Sequence, residues 1–239
     1  MSARRAFDLM FAPAILLATG PVILLAMLLV WLQDGGSPLY RAPRVGRSGR
    51  PFLMLKIRTM RMDADRMGGA STARSDRRVT PLGKGLRRLK LDELPQFWNV
   101  IRGEMSVVGP RPNLLAGGVD GYTPAEMALL DVRPGITDLA SIVFADEADI
   151  LDGWPDPHEA YDLLIRPWKS RLGLLYVTNH SLGLDLHLVW LTVMALFARS
   201  RALRGIDALL ARMGADAELR EACRRNGLLP MAAPPGLAA

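Results

Sequence analysis

The chain has 239 residues, 50% apolar and 23% charged, with a formal net charge of +6 and one cysteine, Cys223. That length holds one ordinary domain plus a membrane element. A single cysteine excludes an intrachain disulfide or a cysteine-rich metal site and fits a reducing, cytosol-facing compartment. The positive balance points to an anionic partner: lipid head groups, nucleic acid or phosphorylated ligands.

The apolar residues are concentrated near the start, where Leu9 to Leu32 is a 24-residue run without a charge. As one straight helix it rises about 36 Å, enough for a hydrocarbon core of about 30 Å. The run is too long for the apolar core of a signal sequence, and no small-x-small cleavage site follows it. A single-pass anchor is the simple reading. Against it, Gly20-Pro21 stands mid-run, where proline removes a backbone donor and crowds the preceding turn. Both flanks are also basic: Arg4 and Arg5 before, then Arg41, Arg44, Arg47, Arg50, Lys56 and Arg58 after, with no acid between residues 41 and 60. Excess Lys/Arg belongs on the cytoplasmic side. A helix that enters, breaks at Gly20-Pro21 and returns puts both flanks there, and this re-entrant helix-break-helix is the expected arrangement.

Ser48-Gly49 is a turn pair between two extended runs, and Phe52 to Ile57 reads as a short buried strand. The arginines from Arg41 to Arg50 suit an anionic lipid surface, at about 1 kcal/mol each. Lys56 and Arg58, beside an apolar strand, fit either that role or ligand binding. Residues 61–80 are polar and glycine-containing, a mobile surface loop by composition. Asp63 and Asp65 read there as solvated charges rather than metal ligands. Gly83-Lys84-Gly85 is not a P-loop, since no Ser/Thr follows the lysine and the upstream glycine is missing.

The stretch Leu86 to Asn113 carries the chemistry. Asp92 and Glu93 are adjacent carboxylates after Arg87, Arg88 and Lys90, and Arg111 follows within Gly109-Pro110-Arg111-Pro112. Asp92 stands near a helix N-terminus, where its plain role is an N-cap. The same position is an anion site, and a carboxylate there could attack phosphorus if a cation such as Mg²⁺ screened the repulsion. Arginine suits bidentate phosphate binding. Spacing alone leaves both readings open.

K-I-R-T-M (56–60), L-D-E-L-P-Q-F-W-N-V (91–100), G-E-M-S-V-V-G-P-R-P (103–112) and R-P-G-I-T (133–137) occur in that order behind the hydrophobic segment. In these motifs the chain resembles the monotopic phosphoglycosyl transferases, the bacterial sugar transferases that start glycan assembly on polyprenyl phosphate. The resemblance covers about residues 4 to 198. It implies that Asp92 attacks the β-phosphate of a UDP-sugar, expelling UMP, and that polyprenyl phosphate then takes the phosphosugar. It makes Glu93 the dyad partner and Mg²⁺ the cofactor, held by Asp92 and Glu93. Lys56, Arg58, Arg87 and Arg111 would bind phosphates, and Pro110 and Pro112 would shape the nucleotide loop. There are two departures. Relatives commonly break the membrane helix at Ser-Pro, here Gly20-Pro21; many continue R-P-G-I-T with G-L-A-Q-V, here Asp138-Leu139-Ala140-Ser141-Ile142. Analogy with any single relative's sugar is therefore unsafe.

Downstream, Thr123 caps a short helix, and Asp146, Glu147 and Asp149 read as a solvated helix start. Glu159 to Tyr176, with Trp168 among cations, suits a membrane interface. Leu182 to Phe197 is too short for a confident span and reads as a buried or interface-lying helix. His180 and His187 read as structural. The expected fold is α+β and mostly helical: a re-entrant membrane helix (1–36), a catalytic domain with a small β-hairpin and interfacial amphipathic helices (37–198), and a helical extension with a disordered end from Pro230 (199–239). The expected place is the cytosolic face of a bacterial inner membrane. The expected partners are a UDP-sugar, polyprenyl phosphate and inner-leaflet anionic lipid, without nucleic acid; the extension could also meet a second subunit, making a homodimer. Two rivals stand beside this: a non-enzymatic peripheral protein binding anionic lipid or nucleic acid through its basic face, and a single-pass anchored transferase.

Overall fold

The computed structural model describes residues 2–67, 73, 75–115 and 119–237. It is mostly helical, with two small sheets. Helix α1 spans Ala3–Asp34 and is capped by the Ser2 hydroxyl, which accepts from Arg5 N. It carries Pro13 and Pro21 inside, and the helix is assigned without interruption through both. The break expected at Gly20-Pro21 is thus not an interruption of the helix. Proline deletes only its own i→i−4 bond, so the turns on either side can continue.

Both ends of α1 are fastened to the same body. At the N-terminal end Arg5 donates to the carbonyls of Val100 (2.6 Å) and Ile101 (2.9 Å). Asp8 accepts from Ser106 Oγ (3.0 Å) and Val107 N (2.9 Å), and Arg4 pairs with Asp185 at 2.5 Å. At the other end Ala26 and Val30 pack with Ile57 and Leu86, and Asp34 receives Arg58 at 2.6 Å. Between these anchors Leu17, Leu24 and Leu25 are exposed.

Strands β1 (Leu39–Val45) and β2 (Pro51–Ile57) form the expected antiparallel hairpin, with Ala42 facing Met54. The turn follows from its residues: Ser48 and Gly49 take φ values of 57° and 74°, a region open to glycine and tolerated by few others. Helix α2 (Pro81–Arg88) is capped by Thr80. Its Gly83 lies so close to Thr59 that a Cβ would stand 2.0 Å from the Thr59 carbonyl oxygen, which accounts for the glycine that mimics a P-loop. Helix α3 (Gln96–Arg102) follows. Its buried Asn99 accepts from Leu55 N (2.9 Å) and donates to Leu53 O (2.8 Å), locking the helix to β2.

Strands β3 (Ser106–Val108) and β4 (Gly135–Thr137) pair in parallel. Gly109 and Gly135 face each other there, and a Cβ on Gly135 would come within 2.1 Å of Gly109 N. The glycines of G-P-R-P and R-P-G-I-T are therefore one contact seen twice. Beyond β4, Asp138 caps α4 (Leu139–Val143) in a capping box with Ser141, so the departure from G-L-A-Q-V begins with a helix start. Helices α5 (Glu147–Ile150), α6 (Pro157–Leu164) and α7 (Arg166–Asn179) complete the body. The helix capped by Thr123 is a 3-10 turn, Glu126–Asp131.

Three expectations are corrected. Trp168 is not at an interface: it is fully buried, and its indole N–H donates to Pro230 O at 3.0 Å. The end from Pro230 is not loose, because Thr123 Oγ1 also donates to Pro235 O and Ala232 N to Leu163 O. The acids at 146–149 are not simply solvated, since Asp146 pairs with Arg199 (2.7 Å) and Arg225 (3.1 Å), and Glu147 with Lys169.

Helix α8 (Leu182–Arg212) turns inward Leu184, Asp185, Leu188 and Leu191, and bends at Ala198, where φ is −147°. Its other face exposes Trp190, Val193, Leu196 and Phe197. Helices α1 and α8 are both long and apolar enough to cross a membrane. Helix α9 (Ala217–Arg224) closes the body, and Ala202, Ile206, Leu210, Leu219 and Cys223 all join the main core.

Crowding at the glycine contact predicts a test. Gly135→Ala should cost about 1–3 kcal/mol, seen as a lower denaturation midpoint, whereas Gly85→Ala, with open space around its Cβ, should leave the midpoint unchanged or raise it.

Candidate active site

Asp92 and Glu93 lie in a 3-10 turn, Leu91–Glu93, between α2 and α3. Lys90 introduces it with φ 56° and ψ 19°, a left-handed conformation that costs a non-glycine residue about 1–2 kcal/mol. Asp92 does not cap α3: the residue at the cap position is Pro95, with no side-chain cap bond. Asp92 is only 6% exposed, and its Oδ1 is buried without a hydrogen-bond partner. Gln96, one turn later, likewise has its Nε2 buried and unpartnered. An acceptor and a donor left unsatisfied at i and i+4 cost about 1–3 kcal/mol each, an outlay that a ligand can recover.

Glu93 is the opposite case. Arg111 donates to both of its oxygens, through Nη2 to Oε1 and through Nη1 to Oε2 at 3.4 Å, and Lys56 Nζ stands 3.3 Å from Oε1. Burial opposes its ionisation, but Arg111, Lys56 and Lys90 together outweigh burial and hold the carboxyl well below its ordinary range. Glu93 in turn raises the Arg111 guanidinium above its usual value, against burial. Burial is also what lowers the Lys56 ammonium, with Glu93 opposing it. Asp92 goes the other way from Glu93. Burial first and the Glu93 charge second push its carboxyl up, against Lys56, Arg87 and Lys90. Two neighbouring acids have thus been driven apart, a fixed anion beside a carboxyl with a free oxygen.

Of the residues picked out by sequence, Lys56 at the end of β2 and Arg111 after β3 meet at Glu93. Arg87 donates through Nε to Thr59 Oγ1 at 2.8 Å and lies in electrostatic range of Asp92. Pro110 and Pro112 are buried in the loop that carries Arg111, and Pro110 O accepts from Gly135 N at 3.0 Å. Arg58 stands apart from the dyad: it grips Asp34, Ser37 O (2.8 Å) and Met60 O at the end of α1. Asp63 pairs with Arg61 at 3.6 Å, and the Asp65 side chain lies outside the described residues, as do residues 68–72 and 74 of the loop over 61–80. Gly20 and Pro21 lie in the middle of α1, between its two anchors, with open space around Gly20.

Sequence reasoning passed over Gln96, Asn99, Arg4, Asp8, Tyr176 and Asp185. Tyr176 Oη lies within hydrogen-bond reach of Asp185 Oδ1 (2.6 Å) and Val108 O (3.0 Å), one of which takes its single proton, while Arg4 donates to Asp185 through Nε and to Val108 O through Nη2 (3.3 Å). Asn99 in an apolar helical pattern and Asp8 at the mouth of an apolar run were the available signals.

Among the described residues no group of three or more His, Cys, Asp or Glu could hold a metal ion by itself. Asp92 Oδ1 nonetheless fits a magnesium ion that takes most of its ligands from substrate phosphates; Glu93, engaged by two cations, fits less well.

Comparison with known proteins agrees with this geometry. The bacterial sugar transferase family matches residues 1–199. The "Undecaprenyl-phosphate glucose phosphotransferase" of Komagataeibacter xylinus is 38% identical over 199 residues, covering 81% of this chain and 35% of that protein. The "Exopolysaccharide production protein ExoY" of Rhizobium meliloti (strain 1021) is 36% identical, covering 81% of this chain and 84% of its own. The "UDP-glucose:undecaprenyl-phosphate glucose-1-phosphate transferase" of Caulobacter vibrioides is 36% identical, covering 83% and 71%. The chain therefore spans about a third of the first of these and most of the other two. The chain belongs to the bacterial sugar transferase family.

Proposed function

We propose that the protein transfers a sugar-1-phosphate from a UDP-sugar to undecaprenyl phosphate, through a phosphosugar carried on Asp92. The observation that carries this reading is the buried, unpartnered Oδ1 of Asp92 beside a Glu93 already neutralised by Arg111 and Lys56. The names of relatives support the substrates: a glucose phosphotransferase acting on undecaprenyl phosphate and two UDP-glucose:undecaprenyl-phosphate glucose-1-phosphate transferases are among them.

In the first step a carboxylate oxygen of Asp92 bonds to the β-phosphorus of the donor. The bond from that phosphorus to the bridging oxygen breaks, and UMP leaves with the bridging oxygen and the electron pair. In the second step an oxygen of undecaprenyl phosphate bonds to the same phosphorus and the aspartyl–phosphorus bond breaks, restoring Asp92. Arg87 and the face of Arg111 turned away from Glu93 offset the charge of the diphosphate. Glu93 keeps Lys56 and Arg111 in place. A magnesium ion held by Asp92 and the phosphate oxygens would supply further charge neutralisation.

The site is seated at a membrane through α1, whose two ends are fastened to one body while its apolar middle is exposed. A chain held at both ends in this way suits a helix that dips into one leaflet and returns, bent where Pro21 removes a hydrogen bond. The exposed apolar face of α8 suits the same surface. A non-enzymatic lipid-binding role explains those faces but gives no reason for the divergent carboxyls of Asp92 and Glu93.

Asp92→Asn should reduce UMP release from UDP-sugars by at least about a thousandfold in purified protein; turnover within tenfold of wild type would rule out the nucleophile. Attack needs the ionised carboxylate, so activity is lost as pH falls through the Asp92 pKa. Because that pKa is raised, the acid limb of kcat/KM for UMP release should lie above the ordinary aspartate value of about 3.9. Lys90→Asn removes a charge that favours ionisation while tolerating the left-handed backbone, and should move the limb to still higher pH. For topology, Ser2→Cys and Ser37→Cys should both resist an impermeant maleimide in intact cells and react after permeabilisation. The native Cys223 is buried, with its thiol pushed up to about 12 by burial first. Labelling of residue 2 alone in intact cells would instead establish a single-pass anchor.

A further inference from the structure

A second group of charged and aromatic side chains stands beside Arg111 and is not used by the dyad. Helix α7 rests on the G-P-R-P loop at Gly173, where an added Cβ would lie 3.7 Å from Pro110 Cβ. Lys169 is one turn earlier on the same helical face. Its ammonium donates to Glu147 of α5 and stands 5.1 Å from the ring centroid of Tyr161 on α6. Arg111 is in electrostatic range of the whole group: its charge acts on Lys169 and Tyr161, and the charge of Glu147 acts on it. These side chains are partly open, with Arg111 35%, Glu147 34% and Lys169 18% exposed. The segment bearing α5 is tied to the chain between β2 and α2 by Ser75, which donates to Asp152 Oδ1 from Oγ at 2.6 Å and from N at 3.1 Å.

Stability gives a weak reason for such a group, since a half-exposed ion pair contributes about 0–1 kcal/mol. Recognition gives a stronger one. We propose that Glu147, Lys169 and Tyr161 form the sugar-binding part of the site and select the donor through its pyranose hydroxyls. The inference rests on the phosphosugar-transfer reading and names the part of the site that reads the sugar. The donor's sugar is attached through one oxygen to the phosphorus that Asp92 attacks, so its pocket adjoins the dyad. Arg111 links the two: it pairs with Glu93 and lies in electrostatic range of this group. The chemistry matches a pyranose. A carboxylate accepts from vicinal hydroxyls, and an ammonium donates to a hydroxyl or to the carbonyl of an N-acetyl group. An aromatic ring covers the apolar C–H face.

The test is equilibrium binding of UDP, UDP-glucose, UDP-galactose, UDP-N-acetylglucosamine and UDP-N-acetylgalactosamine to the full-length protein, with UMP release measured beside it. Wild type should hold at least one sugar nucleotide about tenfold or more tighter than UDP, and should rank the epimers. Glu147→Gln and Lys169→Met should bring that donor to the affinity of UDP and flatten the ranking, while the Kd of UDP itself stays within about twofold; Tyr161→Phe, which keeps the ring, should preserve the ranking. Sugar nucleotides bound no tighter than UDP by wild type, an unchanged ranking in both variants, or an equal loss for UDP and all donors would overturn the proposal. A sugar preference that the variants erase in a protein releasing no UMP would keep the sugar site and reject the transfer reading.

Discussion

Two adjacent, largely buried carboxyl groups cannot both ionise freely, and one must receive cations from elsewhere in the chain. Here that group is Glu93, and its cations come from opposite directions: Lys56 from the end of β2 and Arg111 from the loop after β3. Much of the local architecture maintains that convergence. Asn99 fixes β2 to α3 by satisfying a backbone donor and a backbone acceptor of the strand. The Gly109–Gly135 approach brings β3 and β4 together closely enough for Gly135 N to hold Pro110 O, one residue before Arg111. Lys90 accepts a left-handed backbone directly ahead of the dyad. With Glu93 saturated, Asp92 is the acid left with a free oxygen.

The membrane segment belongs to the same framework. Arg4, Arg5 and Asp8 on its first turns bind the carbonyls of α3 and the backbone of β3, and Arg4 shares Val108 O with Tyr176. Val108 is three residues from Arg111. Wiring α1 to β3 couples helix and loop, because displacing the helix breaks hydrogen bonds made at the strand that leads into the Arg111 loop. Charges that read as a simple basic flank therefore have specific partners.

The hairpin, the dyad, the cationic loop and the apolar helix were legible because each is a local pattern: alternation about a Ser-Gly turn, acids after a basic cluster, a Pro-bracketed arginine, an uncharged run. The failures were matters of tertiary context. Trp168 among Arg166, Lys169 and Arg171 has the composition of an interface helix, yet it lies in the core because Pro230 O, some sixty residues later, satisfies its N–H. Arg58 and Arg87 also read alike in the sequence, whereas in the structure Arg58 pairs with Asp34 at the far end of α1. Nothing in the spacing of residues 34 and 58 foretells that pairing. The reversed behaviour of Asp92 and Glu93 was also hidden, since it depends on which carboxylate Arg111 can reach.

Residues after 199 lie outside the family match, yet they hold the start of α5. Helix α5 has four residues, far too few to hold its shape unaided. Its preceding residue, Asp146, is gripped by Arg199 at the bend of α8 and by Arg225 just after α9, and Arg225 also lies over the Phe144 ring. Ala202, Ile206, Leu210, Leu219 and Cys223 bury the extension in the main core, which makes those two arginines rigid donors rather than loose surface chains. Glu147, the next residue, meets Lys169 beside the Arg111 loop. The extension thus braces a segment too short to brace itself, one residue away from the Glu147–Lys169 pair.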